Sequence, residues 1–258
     1  MKLILLGSGN AATRLGTAFR DAGHDIVQVY SRSVKNGQRL CRLLGCPDCC
    51  TDVPEEIDPR RADAIVSALR DSAADAVWRR IAFGDCPVFH TAGSMALDTL
   101  APYAKHRGVL YPLQTLSRTR NLDFSCVPLF IEAESAETMS VLKALADSVS
   151  NCVREADSGK RKNLHIAAVF ANNFSNHMFA IAERLLKANG LDLSYLLPLI
   201  DETARKVHEL SPRQAQTGPA IRFDENIIHL HLSRLDGDDA ALYEAISESI
   251  HKMAQDEE

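Results

Sequence analysis

Through the first half of the chain, short runs of strand-type apolar residues alternate with helical spacings. Strands are expected at "KLILL" (2–6), "DIVQVY" (25–30), "DAIVSA" (63–68), "PVFHT" (87–91), "GVLYP" (108–112) and "VPLFIEA" (127–133), with a shorter one near 49–51. Between the first of these, "AATRLGTAFRDAG" and "VKNGQRLCRLLG" repeat apolar residues at helical intervals and end on Gly23 and Gly45, the usual helix stop. This alternation predicts an α/β fold with a mainly parallel sheet covered by helices. Strand signals end by about Ser158. Helices are expected from there over 160–189 (stopped by Asn189-Gly190), 192–209 (with a kink or break at Pro198), 224–235 and 239–255. The pattern divides the chain into an α/β domain, 1–155, and an all-α domain, 156–258.

Composition narrows the function classes. With 258 residues, 46% of them hydrophobic, the chain can bury a substantial core. The net charge is −5 with both signs interspersed, so no basic stripe exists to neutralise nucleic-acid phosphates. No stretch approaches the roughly 18 apolar residues of a membrane span, and Met1-Lys2 leads directly into the first strand without a secretory pattern. Seven cysteines in no framework spacing fit a reducing, cytoplasmic setting. Four of them cluster in "CPDCC" (46–50) and at Cys41, but no second C-x-x-C or paired histidine lies at a suitable spacing, so structural thiols are preferred and no metal is expected.

The first candidate site is "LLGSGNAATRLG". Gly7, Gly9 and Ala12 form G-x-G-x-x-A between a strand and a helix, where Gly7 permits a tight turn, Gly9 lets backbone approach a pyrophosphate and Ala12 lets helix pack on sheet. Asn10 and Ala11 complete the loop and the first helical turn, whose free N–H groups suit phosphate. After the second strand, "YSRS" lacks the acidic residue that would bond a ribose 2′-hydroxyl. Ser31, Arg32 and Ser33 suit a 2′-phosphate instead, which favours NADP over NAD, unless Arg32 is simply an exposed surface arginine. Ligands of such sheets bind beyond the strand carboxyl ends, which adds Ala68 and Leu69, and His90 and Ser94 in "HTAGS". His90 is as readily a hydrogen-bonded structural group.

The second candidate site lies on "NLHIAAVFANNFSNHM" (163–178). On a regular helix His165, Asn172, Asn173 and Asn176 share an arc of about 100°, with apolar residues covering most of the rest, so the helix is expected to be buried nearly all round. Its polar stripe then either satisfies interhelical hydrogen bonds or forms a substrate wall facing a nicotinamide across an interdomain cleft. In the second reading His165 is the acid/base and Asn173 orients the substrate. Further on, "QTGPAIRFD" holds a turn at Thr217-Gly218-Pro219, an anion-binding candidate in Arg222, and Asp224, most simply an N-cap.

Taken in order, "LLGSGNAATRLG", "VYSRS", "HTAGS", "YPLQT", "LHIAAVFANNFSNH" and "QTGPAIRFD" resemble the Rossmann-like NADP-dependent oxidoreductases that carry the C-terminal helical domain DUF2520. These are distantly similar to pyrroline-5-carboxylate reductase and to the 6-phosphogluconate and 3-hydroxyacid dehydrogenases. The resemblance implies a C-terminal domain of the 6-phosphogluconate dehydrogenase type and a homodimer. The reaction it implies is hydride transfer between NADP(H) and a small carbonyl, imine or hydroxyacid. The same glycine-loop, Ser31–Ser33, His165/Asn173 and Thr217, Gly218, Arg222 and Asp224 positions carry over as site residues. Two departures stand out: Leu164 where an aromatic is common, and Phe223 where the family often has glycine. The dehydrogenase relatives also place a lysine about one turn before their asparagine, where this chain has Val169. That keeps open an alternative, an NADP-responsive binding or regulatory protein without turnover.

Overall fold

The computed structural model describes residues 1–255. An eight-stranded sheet in the order β3-β2-β1-β4-β5-β6-β7-β8 organises the first part. Its strands are β1 (Lys2–Leu6), β2 (Asp25–Tyr30), β3 (Cys50–Thr51), β4 (Ala64–Ser67), β5 (Val88–His90), β6 (Arg107–Pro112), β7 (Leu129–Ala133) and β8 (Val153–Glu155). All neighbouring pairs are parallel except β6 and β7. β1 reads as an unbroken apolar run because both its faces are covered. Leu3 and Leu5 enter one core cluster, Ile4 and Leu6 the other.

The helices of this unit are α1 (Asn10–Asp21), α2 (Val34–Leu44), α3 (Asp71–Trp78), α4 (Ala136–Asp147) and α5 (Ser158–Ala168). Strand order reverses between β1 and β4, which brings the loops after both strands together at the sheet's carboxyl edge, the place where open sheets of this kind bind ligands. Ala68 N–H donates to the Leu6 carbonyl at 2.8 Å, continuing the ladder into that edge. β8 lacks a sequence signal because it is three residues long and mostly exposed.

The helix expected over 160–189 is not continuous. α5 passes at Val169–Phe174 into a π-helical segment, and α6 (Ser175–Ala188) follows. Wider i→i+5 turns reset the angular phase, so the single polar stripe from His165 to Asn176 does not survive as drawn on a regular helix. Nor is the segment buried all round: Ile166, Phe170 and Phe174 are 57%, 65% and 48% exposed. Pro198 begins a helix rather than breaking one, as its missing N–H is harmless in the first turn of α7 (Leu197–Lys206).

The chain divides into two compact units, Met1–Asn173 and the remainder from Phe174. α5 is thus counted with the sheet. Its fastening is a buried knot: Arg161, fully buried, pairs with Glu132 of β7 and donates to the Met95 carbonyl, while Ser158 donates to the same carboxylate from both its backbone N–H (3.0 Å) and its hydroxyl. The second unit holds α6, α7, the short α8 (Pro212–Ala215), α9 (Glu225–Leu232) and α10 (Gly237–Gln255). Neither α6, α7 nor α9 has a buried residue. Among the described residues no helix is long and apolar enough to cross a membrane.

Candidate functional site

The glycine loop is built as its spacing demands. Gly7 sits at φ +115°, a conformation that excludes most side chains, and a Cβ there would stand 2.6 Å from the Ala68 carbonyl oxygen. Its N–H donates to the Tyr30 carbonyl at 2.8 Å, locking the turn to the end of β2. Gly9 is the N-cap of α1, makes no side-chain cap, and has open space where a Cβ would stand. The first-turn N–H groups of Asn10, Ala11 and Ala12 are therefore left for a ligand, with the positive end of the helix dipole behind them. Ala12 itself is buried in the core, where a larger side chain would push α1 off the sheet.

Gly7, Gly9, Ser31, Arg32, Ser33, Ala68 and Leu69 line one cleft of about 260 Å³. Within it the three residues after β2 do different work. The Ser31 hydroxyl is buried, bonded to the Ser8 hydroxyl at 2.6 Å and to the Ser33 carbonyl at 2.8 Å, so it shapes the loop instead of presenting a free donor. Ser33 caps α2 by accepting from Asn36 N–H. Arg32 is exposed and lines the cleft, with no carboxylate among the cleft-lining residues. Two further arginines that the sequence reading did not single out line it as well. Arg70 follows Leu69, and Arg118 comes from the loop after β6 and donates to the Ser8 carbonyl. Arg118 escapes sequence reading because it lies 110 residues from Ser8. An uncapped helix N-terminus, an open Gly9 and three guanidinium groups make a cradle for a phosphate-bearing ligand.

A second cluster forms where β6, the loop after β5 and α5 meet. Tyr111 Oη and His165 Nδ1 lie 3.1 Å apart, with their rings edge-on at 6.0 Å. Gly93, buried in the "HTAGS" loop, fills the angle between them: a Cβ there would come within 2.8 Å of both rings. Tyr111 is 8% exposed, and burial raises its pKa, opposed in part by the Arg161 charge. Tyr111 belongs to the "YPLQT" segment, and no spacing in the sequence points from it to the histidine.

His90 lies beneath this loop, 1% exposed, so the structure makes it a support for the loop and not a surface to which a substrate has direct access. Its Nδ1 accepts the Ala92 N–H at 3.3 Å. Burial above all, then the Arg161 charge, pushes its pKa down to about 4, so it is neutral near pH 7. Ser94 is exposed and donates to Asp71 at the start of α3. Asn173 is exposed and lies within the π-helical segment.

In the second unit, Asp224 is the N-cap of α9, accepting from Ile227 N–H at 3.3 Å. Thr217 lines an apolar cavity of about 310 Å³ with Pro219, Ala220 and Tyr243, and Arg222 is exposed. Gly218 has φ +107°. Phe223 takes φ +50°, the left-handed region that glycine enters freely, and stacks on His251 with ring centroids 3.9 Å apart. The loop therefore keeps the conformation that the family's glycine would favour.

Comparison with known proteins agrees with this architecture. Residues 127–250 match the family described as Domain of unknown function (DUF2520). A crystal structure from Bacteroides fragilis, named provisionally as an NADP oxidoreductase, is 46% identical with a TM-score of 0.92, covering 97% of this chain and 98% of that one. A protein from Thermotoga maritima is 19% identical with a TM-score of 0.72, and 99% of each chain is covered. A reductive aminase from Aspergillus terreus, solved with NADPH and ethyl-5-oxohexanoate, is 13% identical with a TM-score of 0.64, covering 99% and 90%. The last two share the fold alone. No curated protein matches the chain.

Proposed function

Because this chain belongs to the family of Rossmann-type proteins that carry the DUF2520 domain, we propose that it is an NADP-dependent oxidoreductase acting on a small carbonyl, imine or hydroxyacid. The observation that carries the reading is the end of β2. Arg32, with no carboxylate beside it in the cleft, lines the same cavity as the uncapped N-terminus of α1. A 2′-phosphate needs the guanidinium, while a bare ribose would call for an acidic acceptor. Arg118, held on the Ser8 carbonyl, adds positive charge over the glycine loop, and Ala68 and Leu69 line the floor.

The bound cofactor supplies the hydride; the chain supplies orientation and a proton. An imidazolium at His165 that delivers its proton to the substrate oxygen or nitrogen is left as the neutral ring, and Tyr111 Oη, 3.1 Å from Nδ1, holds that ring in place. Asn173 takes the orienting role, and Thr217, Gly218, Arg222 and Asp224 are assigned to substrate binding in a helical domain, 156–258, on the strength of the family pattern. The exposed apolar positions of the helical unit, Phe174, Leu199 and Leu230 among them, are the faces by which two copies pair.

Val169, standing where the dehydrogenase relatives have lysine, favours a second reading, in which NADP(H) is bound without turnover. Titrating the protein with NADPH and NADH, then screening ketoacids, imines and hydroxyacids for NADPH consumption, separates the two. Tight NADPH binding with consumption that depends on His165 supports the enzyme. Tight binding with no turnover across all three classes supports the rival, and weak binding of both cofactors sinks either reading.

A further inference from the structure

We propose that Cys41, Cys46, Cys49 and Cys50 form a thiolate site for one zinc ion at the β3 edge of the sheet. The Sγ atoms of Cys41, Cys46 and Cys49 all lie within 4.8 Å of one another, and those of Cys41 and Cys49 are 3.5 Å apart. Four thiolates around zinc at about 2.3 Å stand about 3.8 Å from each other, so the three are already at ligand spacing.

The convergence is made by helix termination. Gly45 ends α2 at φ +79°, and the chain folds back so that Cys46 N–H donates to the Cys41 carbonyl at 2.9 Å. A turn from Cys46 to Cys49, closed by Cys49 N–H on the Cys46 carbonyl at 3.2 Å, then returns the second thiol of the C-x-x-C to the same point. Cys50 follows on β3. Its thiol packs where Gly37 leaves space, since a Cβ on Gly37 would stand 2.3 Å from Cys50 Sγ. Sequence spacing alone finds no partner for the C-x-x-C; the α2 turn provides Cys41 and the strand provides Cys50.

Structural packing does not account for this. A core position needs bulk, which alanine or valine supplies, and does not require several sulfurs aimed at one another. Only Cys41 is fully buried, whereas Cys46, Cys49 and Cys50 border an open groove of about 510 Å³ that gives an ion a way in. On binding, each thiol gives up its proton to solvent as its sulfur becomes a ligand. The ion would tie the end of α2 to β3, and so hold the helix that Ser33 caps next to Arg32.

The test uses the full chain, reduced and metal-free, titrated with Co²⁺ and then Zn²⁺ against a chelator of known affinity. One equivalent of Co²⁺ should give thiolate charge-transfer absorption and intense tetrahedral visible bands, both abolished by one equivalent of Zn²⁺. Cys46→Ser and Cys49→Ser should each weaken zinc by about 100-fold or more, and Cys126→Ser, at an exposed position elsewhere, should not. The idea is overturned if the wild-type protein shows no charge-transfer band or if the serine variants bind as tightly as wild type. Should the variants misfold, the wild-type spectrum and competition decide alone.

Discussion

Tyr111 Oη and His165 Nδ1 meet at 3.1 Å across 54 residues, and Gly93 is the residue that lets them. Alanine at 93 would place its Cβ 2.7 Å from the Tyr111 ring and 2.8 Å from His165 Nδ1, with a buried tyrosine unable to swing aside. Gly93→Ala is therefore expected to lower kcat by about 100-fold through misplacement of the pair. His165→Ala should lose about 10²- to 10⁴-fold, and Tyr111→Phe, which keeps the ring and removes the bond, should lose less. NADPH affinity should be unchanged in all three. Steady-state NADPH consumption and a separate binding titration check this, and a Gly93→Ala enzyme with wild-type kcat would disprove it.

The arginines of the cleft divide by what they touch. Arg32 lies at the end of β2, where only the 2′-phosphate distinguishes the two cofactors, so Arg32→Ala should weaken NADPH by about 10- to 100-fold, the worth of a charged hydrogen bond or two, and leave NADH nearly unaffected. Arg118 is bonded to Ser8 in the glycine loop, the place proposed for the pyrophosphate that both cofactors share. Arg118→Ala should weaken both alike. Calorimetric titration of the two variants with each cofactor provides four numbers, and equal losses of NADPH and NADH in Arg32→Ala would remove the phosphate assignment.

What the sequence made legible was what local sterics decide. Gly7 must turn at positive φ, Gly45 must end a helix, and Asp224 must cap one, and each does so. β1 announces itself because burial on both faces requires an unbroken apolar run. Relationships that depend on folding were not legible: Arg118 on Ser8, Tyr111 on His165, and Arg161 under β7 each join residues brought together only by the sheet. The π-helical turn was hidden for another reason. "VFANNF" has no residue that forbids a regular helix, so residue propensity does not announce its wider turns.

Arg161 is wholly buried and its charge is balanced by Glu132, which also accepts from Ser158. Removing one partner leaves a buried guanidinium uncompensated, so Glu132→Gln should destabilise the protein by about 3–5 kcal/mol. The double variant Glu132→Leu/Arg161→Met, which removes both charges, should recover most of that loss. Denaturant unfolding of the three proteins tests it. A single variant as stable as wild type would mean that the pair is solvated after all.

His90 makes stability depend on pH in a direction that can be worked out. Its pKa falls from the ordinary 6.5 to about 4 because burial, then the Arg161 charge, disfavours the imidazolium in the folded state. Between those values the unfolded chain binds a proton at this site that the folded chain refuses, so the unfolded state gains as pH drops. The contribution is complete above pH 6.5 and is lost progressively from there down to about pH 4, amounting to about 3 kcal/mol. His90→Gln, which cannot take up that proton, should be less stable at pH 7.5, because the fitted ring is gone, yet flatter in its response to acid. The stability gap between wild type and variant should therefore narrow by about 2.5 kcal/mol from pH 7.5 to 4.5, as measured by denaturant unfolding at each pH. A gap that stays constant over that range would show that His90 titrates normally in the folded protein.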